Sequence, residues 1–86
     1  MAYRLELETR AVKELRGLAR EPRELLSNVL DDLQREPRPP GAKKLSGEED
    51  YRVRKGDYRI LYAINDTQRL VRVYRLGHRR EVYRRR

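Results

Sequence analysis

Six arginines, the single histidine and a tyrosine stand in the last dozen residues, Arg75-Leu76-Gly77-His78-Arg79-Arg80-Glu81-Val82-Tyr83-Arg84-Arg85-Arg86. Guanidinium groups grip phosphate oxygens in a fixed fork, and imidazole and phenol exchange protons with a neighbour. The three together suit an RNA phosphate and chemistry upon it. The plain alternative is a solubilising basic tail. The choice turns on whether the fold brings other cations to the same place.

Three more arginines are candidates, by strand alternation. Tyr51-Arg52-Val53-Arg54 has period two, and Tyr58-Arg59-Ile60-Leu61-Tyr62-Ala63-Ile64 is apolar enough for a central strand. If Tyr51, Val53, Tyr58, Ile60, Tyr62 and Ile64 pack under helices, Arg52, Arg54 and Arg59 project from the opposite face. They then lie within side-chain reach across adjacent strands, where like charges repel unless an anion joins them. The competing reading is a polar, solvated sheet face. Neither Tyr51–Arg54 nor Tyr58–Ile64 contains an acidic residue to balance them.

Arg79, at the end of the last strand, and Tyr83, a short turn later, are placed to join that groove. His78 beside a glycine reads first as a surface residue. No cluster has metal-ligand spacing, and no Ser-His-Asp set, P-loop or GxGxxG is present. Asp31-Asp32 reads as a solvated helix face.

The elements that must position these groups follow in order. Tyr3 to Glu8 alternates as a strand with Tyr3, Leu5 and Leu7 inward. Thr9 is placed to cap a helix carrying Val12, Leu15, Leu18 and Ala19 on one face. Pro22 suits the first position of a second helix, with the stripe Leu25, Leu26, Val29, Leu30 and Leu33. Pro37 ends it. Residues 37–50 read as one extended loop anchored by Leu45. Three strands follow, separated by turns at Lys55-Gly56-Asp57 and Asn65-Asp66-Thr67-Gln68, and Gly77 is expected to break the last. The fold class is α+β, in the order β-α-α-β-β-β. A two-helix hairpin packs on one face of a mainly antiparallel four-stranded sheet, and the other face is an open basic groove.

Eighty-six residues make a single domain, 1–86, with one modest core. Without cysteine, disulfides and thiolate metal sites are excluded. No apolar run approaches the roughly 18 residues of a membrane helix, and no signal-peptide pattern opens the chain, so a cytoplasmic location is expected. The net charge of +8 is uneven: residues 1–43 hold nine Lys/Arg against eight Asp/Glu, residues 44–86 thirteen against six. That concentration steers polyanions, nucleic acid first and an acidic protein second.

The chain resembles the RelE toxins of the RelE/ParE superfamily, the small ribosome-dependent mRNA endonucleases of toxin–antitoxin systems. The resemblance covers nearly the whole length. It rests on Met1-Ala2-Tyr3, Arg10-Ala11-Val12-Lys13-Glu14-Leu15, Pro37-Arg38, Ala42-Lys43-Lys44-Leu45-Ser46-Gly47, Tyr51-Arg52-Val53-Arg54, Gly56-Asp57-Tyr58-Arg59-Ile60-Leu61-Tyr62 and Leu76-Gly77-His78-Arg79-Arg80-Glu81-Val82-Tyr83. GxYRxxY followed by GHRxxVY is specific to the superfamily rather than to one activity within it.

The resemblance implies a catalytic set of Arg52, Arg54, Arg59, Arg79 and Tyr83. Arg52, Arg54, Lys55, His78 and Arg80 would hold RNA, with no metal and no cofactor. Familiar members carry lysine at the positions of Arg52 and Arg54. Arginine keeps the charge but yields its proton far less readily, so these two would hold phosphate and the general base is left open. The chain also stops three residues after Tyr83, where some relatives have a long C-terminal helix. The implied reaction is attack by the 2′-hydroxyl of A-site message on the adjacent phosphate. Arg59 and Arg79 would stabilise charge, and Tyr83 would stack on a base or exchange the proton, ahead of His78. The implied partners are the message-bearing ribosome and a RelB-like antitoxin in a hetero-oligomeric complex, with no membrane. Two alternatives stay open: a ParE-like inhibitor of DNA gyrase, and a non-catalytic RNA- or ribosome-binding module.

Overall fold

The computed structural model describes residues 2–45 and 50–78. Strand β1 (Arg4–Leu7) leads into helices α1 (Thr9–Arg16) and α2 (Arg20–Arg35), followed by β2 (Lys43–Lys44), β3 (Asp50–Lys55), β4 (Tyr58–Asn65) and β5 (Leu70–His78). They form one five-stranded sheet in the order β1-β5-β4-β3-β2, with β1 parallel to β5 and the other pairs antiparallel. The fold class and the helix hairpin are as expected. The sheet has five strands rather than four, because Lys43-Lys44 inside the expected loop pairs with Arg52 and Tyr51. Two exposed lysines carry no apolar alternation, which is why this strand is silent in the sequence; lysine also guards a sheet edge against further pairing.

The helices start from extended residues without side-chain caps: Glu8, not Thr9, precedes α1, and Ala19 precedes α2. Pro22 sits in the first turn of α2, where its missing N–H costs nothing. Leu26, Leu30 and Leu33 of α2 and Ala11 of α1 are buried against Tyr51, Val53, Ile60, Tyr62, Ile64, Val71, Val73 and Leu76 of the sheet. Complete burial of a leucine such as Leu26 or Leu33 contributes roughly 1.5–3 kcal/mol. Tyr51 and Tyr62 stack at 5.9 Å, and the Tyr62 hydroxyl donates to the Pro37 carbonyl at 2.7 Å. Burial raises the Tyr62 pKa, so this phenol stays protonated.

A charged knot closes the turn end of the sheet. Arg38 donates to both carboxylate oxygens of Asp66 (3.3 and 2.9 Å) and through Nε to the Tyr51 hydroxyl (3.0 Å). The Tyr3 hydroxyl donates to Asp66 at 2.6 Å. These bonds tie the chain after α2 and the approach to β1 onto the β4–β5 turn. Hydrogen bonding from Arg38 and then Tyr3 holds the Asp66 carboxyl below its ordinary pKa; the same bonds raise those of Tyr3 and Arg38.

A candidate RNA cleft on the open sheet face

The hairpin joining β3 to β4 turns on Gly56-Asp57 alone, with Gly56 at φ +59°, the left-handed conformation that glycine adopts without strain. That turn sets the register. Arg54 faces Arg59 directly, and Arg52 faces Leu61 one row along. Val53 and Ile60 between them lie in the core, so the alternation sends all three arginines to the face away from the helices, as expected. Arg54 is exposed, Arg52 half-buried, and Arg59 buried at 8% exposure. A guanidinium on the central strand is thus held in a fixed place by its neighbours.

β5 completes the row. Gly77 stands opposite Arg59 on its other side, so the row reads Arg54, Arg59, Gly77. Glycine adds no side chain beside the Arg59 guanidinium. Its φ of +145° is one that side-chain-bearing residues rarely adopt. Gly77 does not break the strand as expected; β5 runs through it to His78.

A bulge decides where the end of β5 points. Tyr62 pairs with Val73 but Leu61 with Arg75, leaving Tyr74 as the extra residue. Plain alternation from Val73 would bury Arg75 and turn Leu76 and His78 to the open face. The bulge shifts the pattern by one: Leu76 is buried beside Ile60, and His78 pairs with Tyr58, ring edge to face at 5.8 Å. Lys55 pairs with Tyr58 from the other side. The structure therefore gathers Arg52, Arg54 and Arg59 on one face, and sets Lys55 and His78 in the adjoining row directed to the helix side. Arg79, Arg80 and Tyr83 lie outside the described residues.

Charge on the open face is graded. At the β1 end Glu6 pairs with Arg72 (3.4 Å) and Arg4 (3.8 Å). Toward the hairpin the register adds Lys43 beside Arg52; Asp50 stands two residues before Arg52 in β3, and among the described residues no acidic residue lies in the rows of Arg52 and Arg54. A polyanion is drawn to the arginine end. Among the described residues no group of three His, Asp or Glu could hold a metal, and no helix is long and apolar enough to cross a membrane.

One functional-looking contact was not legible in the sequence. Glu14 of α1 accepts both Arg75 Nε and the Leu76 backbone N–H, each at 2.9 Å. The residues are more than sixty apart in the chain, and only the fold reveals the pairing.

Comparison with known proteins agrees with this architecture. The sequence model of the ParE toxin of the type II toxin–antitoxin system parDE matches residues 5–83. Toxin RelG of Mycobacterium tuberculosis is 35% identical over 99% of this chain and 100% of its own length. The mRNA interferase toxin RelE of Escherichia coli is 38% identical over 96% of this chain and 92% of its own. A chain of the intact Escherichia coli RelBE toxin–antitoxin complex superposes with a TM-score of 0.80 at 30% identity, over 90% of this chain and 96% of that one. With a family match spanning all but the two ends, and with relatives similar along their full length, the chain belongs to the RelE/ParE superfamily of type II toxin–antitoxin toxins, as a RelE-type member.

Proposed function

We propose that this toxin is a ribosome-dependent endoribonuclease that cuts message in the A site and so stops translation. The observation that carries the reading is the row of Arg54, Arg59 and Gly77, with Arg52 one step away, on a sheet face left open by the helices. The similarity to RelE, an mRNA interferase, points to the same activity.

In this reading the 2′-hydroxyl attacks the neighbouring phosphorus, the 5′-oxygen departs, and a 2′,3′-cyclic phosphate results. Arg59 and Arg79 stabilise the charge that grows on the phosphoryl oxygens. Arg52 and Arg54 grip the strand as bidentate phosphate ligands. Tyr83 stacks on a base or moves the proton. Arg80 holds a flanking phosphate, and Lys55, in the row on the helix side, adds only to the field that draws the strand in. His78, edge to face with Tyr58, is placed to support the edge of the cleft rather than its floor. The reaction is metal-independent: guanidinium groups take the charge that a divalent cation would otherwise take. The ribosome supplies the orientation of the message that so small a cleft cannot supply alone.

The partner is a RelB-like antitoxin, supported by the RelBE complex to which this chain is similar. An acidic, amphipathic segment would neutralise the arginine end and fold upon binding.

Primer extension on message bound to translating ribosomes tests the reading. Wild-type protein yields new 5′ ends in the A-site codon, with chelator present or absent. Arg59→Ala loses about 10²–10³ in rate while keeping its fold. Stalling without cleavage would favour a binding module, and inhibited supercoiling by DNA gyrase with intact message would favour the ParE-like alternative.

A further inference from the structure

β1 pairs with β5 only as far as Val73, where the Glu8 N–H closes the ladder at 2.9 Å. Beyond that point no strand among the described residues lies beside the outer edge of β5, yet β5 runs on to His78. α1 packs along this stretch, and Glu14 takes the place of a strand. One carboxylate oxygen accepts the Leu76 N–H and the other accepts Arg75 Nε, each at 2.9 Å. Both side chains are largely buried, at 23% and 13% exposure. The contact falls directly after the bulge and directly before Gly77, the residue opposite Arg59.

Leu76 is thereby fixed from three sides: by Ile60 across the sheet, by the core beneath it, and by Glu14 at its edge. A bulged strand end with one free edge would otherwise fray, since local opening starts where backbone hydrogen bonds are few. Glu14 also takes up Arg75, which shares a row with Leu61 and Arg52 and would otherwise offer a rival phosphate grip.

We infer that Glu14 is a positioning residue for cleavage: it touches no reacting group, but it holds the end of β5 so that Gly77 keeps its place opposite Arg59 and the space beside that guanidinium stays free for the phosphate. This rests on the endoribonuclease reading above. An error of position of about 1 Å in such a group costs on the order of 10²-fold.

The test is single-turnover cleavage of programmed ribosomes over a range of toxin concentrations, for wild type, Glu14→Ala, Glu14→Gln, Arg59→Ala and the Glu14→Ala/Arg59→Ala double variant. Glu14→Ala is expected to cut the maximal rate about 10–100-fold with little change in half-saturating concentration, and to speed hydrogen exchange at the Leu76 and Gly77 amides. Glu14→Gln keeps an acceptor for the Leu76 N–H and restores most of the rate, which bears on the inference even where Glu14→Ala folds poorly. Because Glu14 acts through the row of Gly77 and Arg59, the double variant is no slower than Arg59→Ala alone. An active wild type whose Glu14→Ala form cleaves at full rate, or whose two losses multiply, overturns the inference and leaves the function standing. A wild type that leaves message intact overturns the function, and the inference with it.

Discussion

Arg54 and Arg59 face each other directly across the two-residue turn at Gly56-Asp57, on the sheet face away from α1 and α2. Like charges so placed destabilise a sheet by up to about 1 kcal/mol, and screening relieves them. Added salt should therefore stabilise the free toxin, and Arg54→Gln should reduce that gain. Replacement of the exposed Arg16 on α1 should not. Thermal midpoints from low to physiological ionic strength measure the difference. Equal salt responses in the three proteins would remove the repulsion from the account. Arg54→Gln should also weaken binding to ribosome-bound message, since it removes an exposed guanidinium from the face offered to phosphate.

Tyr62 carries the second prediction. Its ring is fully buried and its hydroxyl donates to the Pro37 carbonyl, itself on a buried residue. Tyr62→Phe leaves that carbonyl without this donor and should cost about 1–2 kcal/mol. Urea titration followed by circular dichroism reads the loss. Activity per folded molecule should be unchanged, because the hydroxyl lies on the helix side of the sheet and the arginines on the other.

Period-two alternation made Arg52, Arg54 and Arg59 legible, because Tyr51, Val53, Ile60 and Tyr62 are apolar at every second place and demand one face. The same rule misleads on β5. A bulge leaves no signature of its own, although alternation alone would have buried Arg75 and exposed Leu76, a conflict that one extra residue resolves. The placement of His78 follows from that bulge. The contacts of Glu14 with Arg75 and of Arg38 with Asp66 join residues distant in sequence, so no local pattern announces them. β2 is invisible for another reason: two exposed lysines pair through backbone alone.

Asp66 gives a pH prediction. Its folded pKa is lowered, first by the Arg38 hydrogen bonds and then by the Tyr3 hydroxyl. A group held below its unfolded value stabilises the fold fully above that unfolded value and loses the contribution as pH falls through the folded one. The loss thus falls on the acid side of the ordinary carboxylate range. Asp66→Asn should flatten the decline of the thermal midpoint below about pH 4, while losing stability at neutral pH. An acid limb identical to wild type would show that other carboxylates govern it.

Gly77 joins stability to activity. Its φ of +145° disfavours any side chain, and strain of this kind costs on the order of 1–3 kcal/mol. In register it stands opposite Arg59, whose guanidinium-bearing side chain is buried, so a side chain added here joins that row. Gly77→Ala should therefore lower stability by an amount in that range and also slow cleavage in the fraction that remains folded. Gly56→Ala, at φ +59° in the hairpin turn with nothing within 4 Å of an added Cβ, is the control. It carries backbone strain without intrusion into the row. If the cleft is where message reacts, the two variants lose comparable stability, and only Gly77→Ala loses rate per folded molecule. Equal rates for both would show that the space beside Arg59 is not used by substrate.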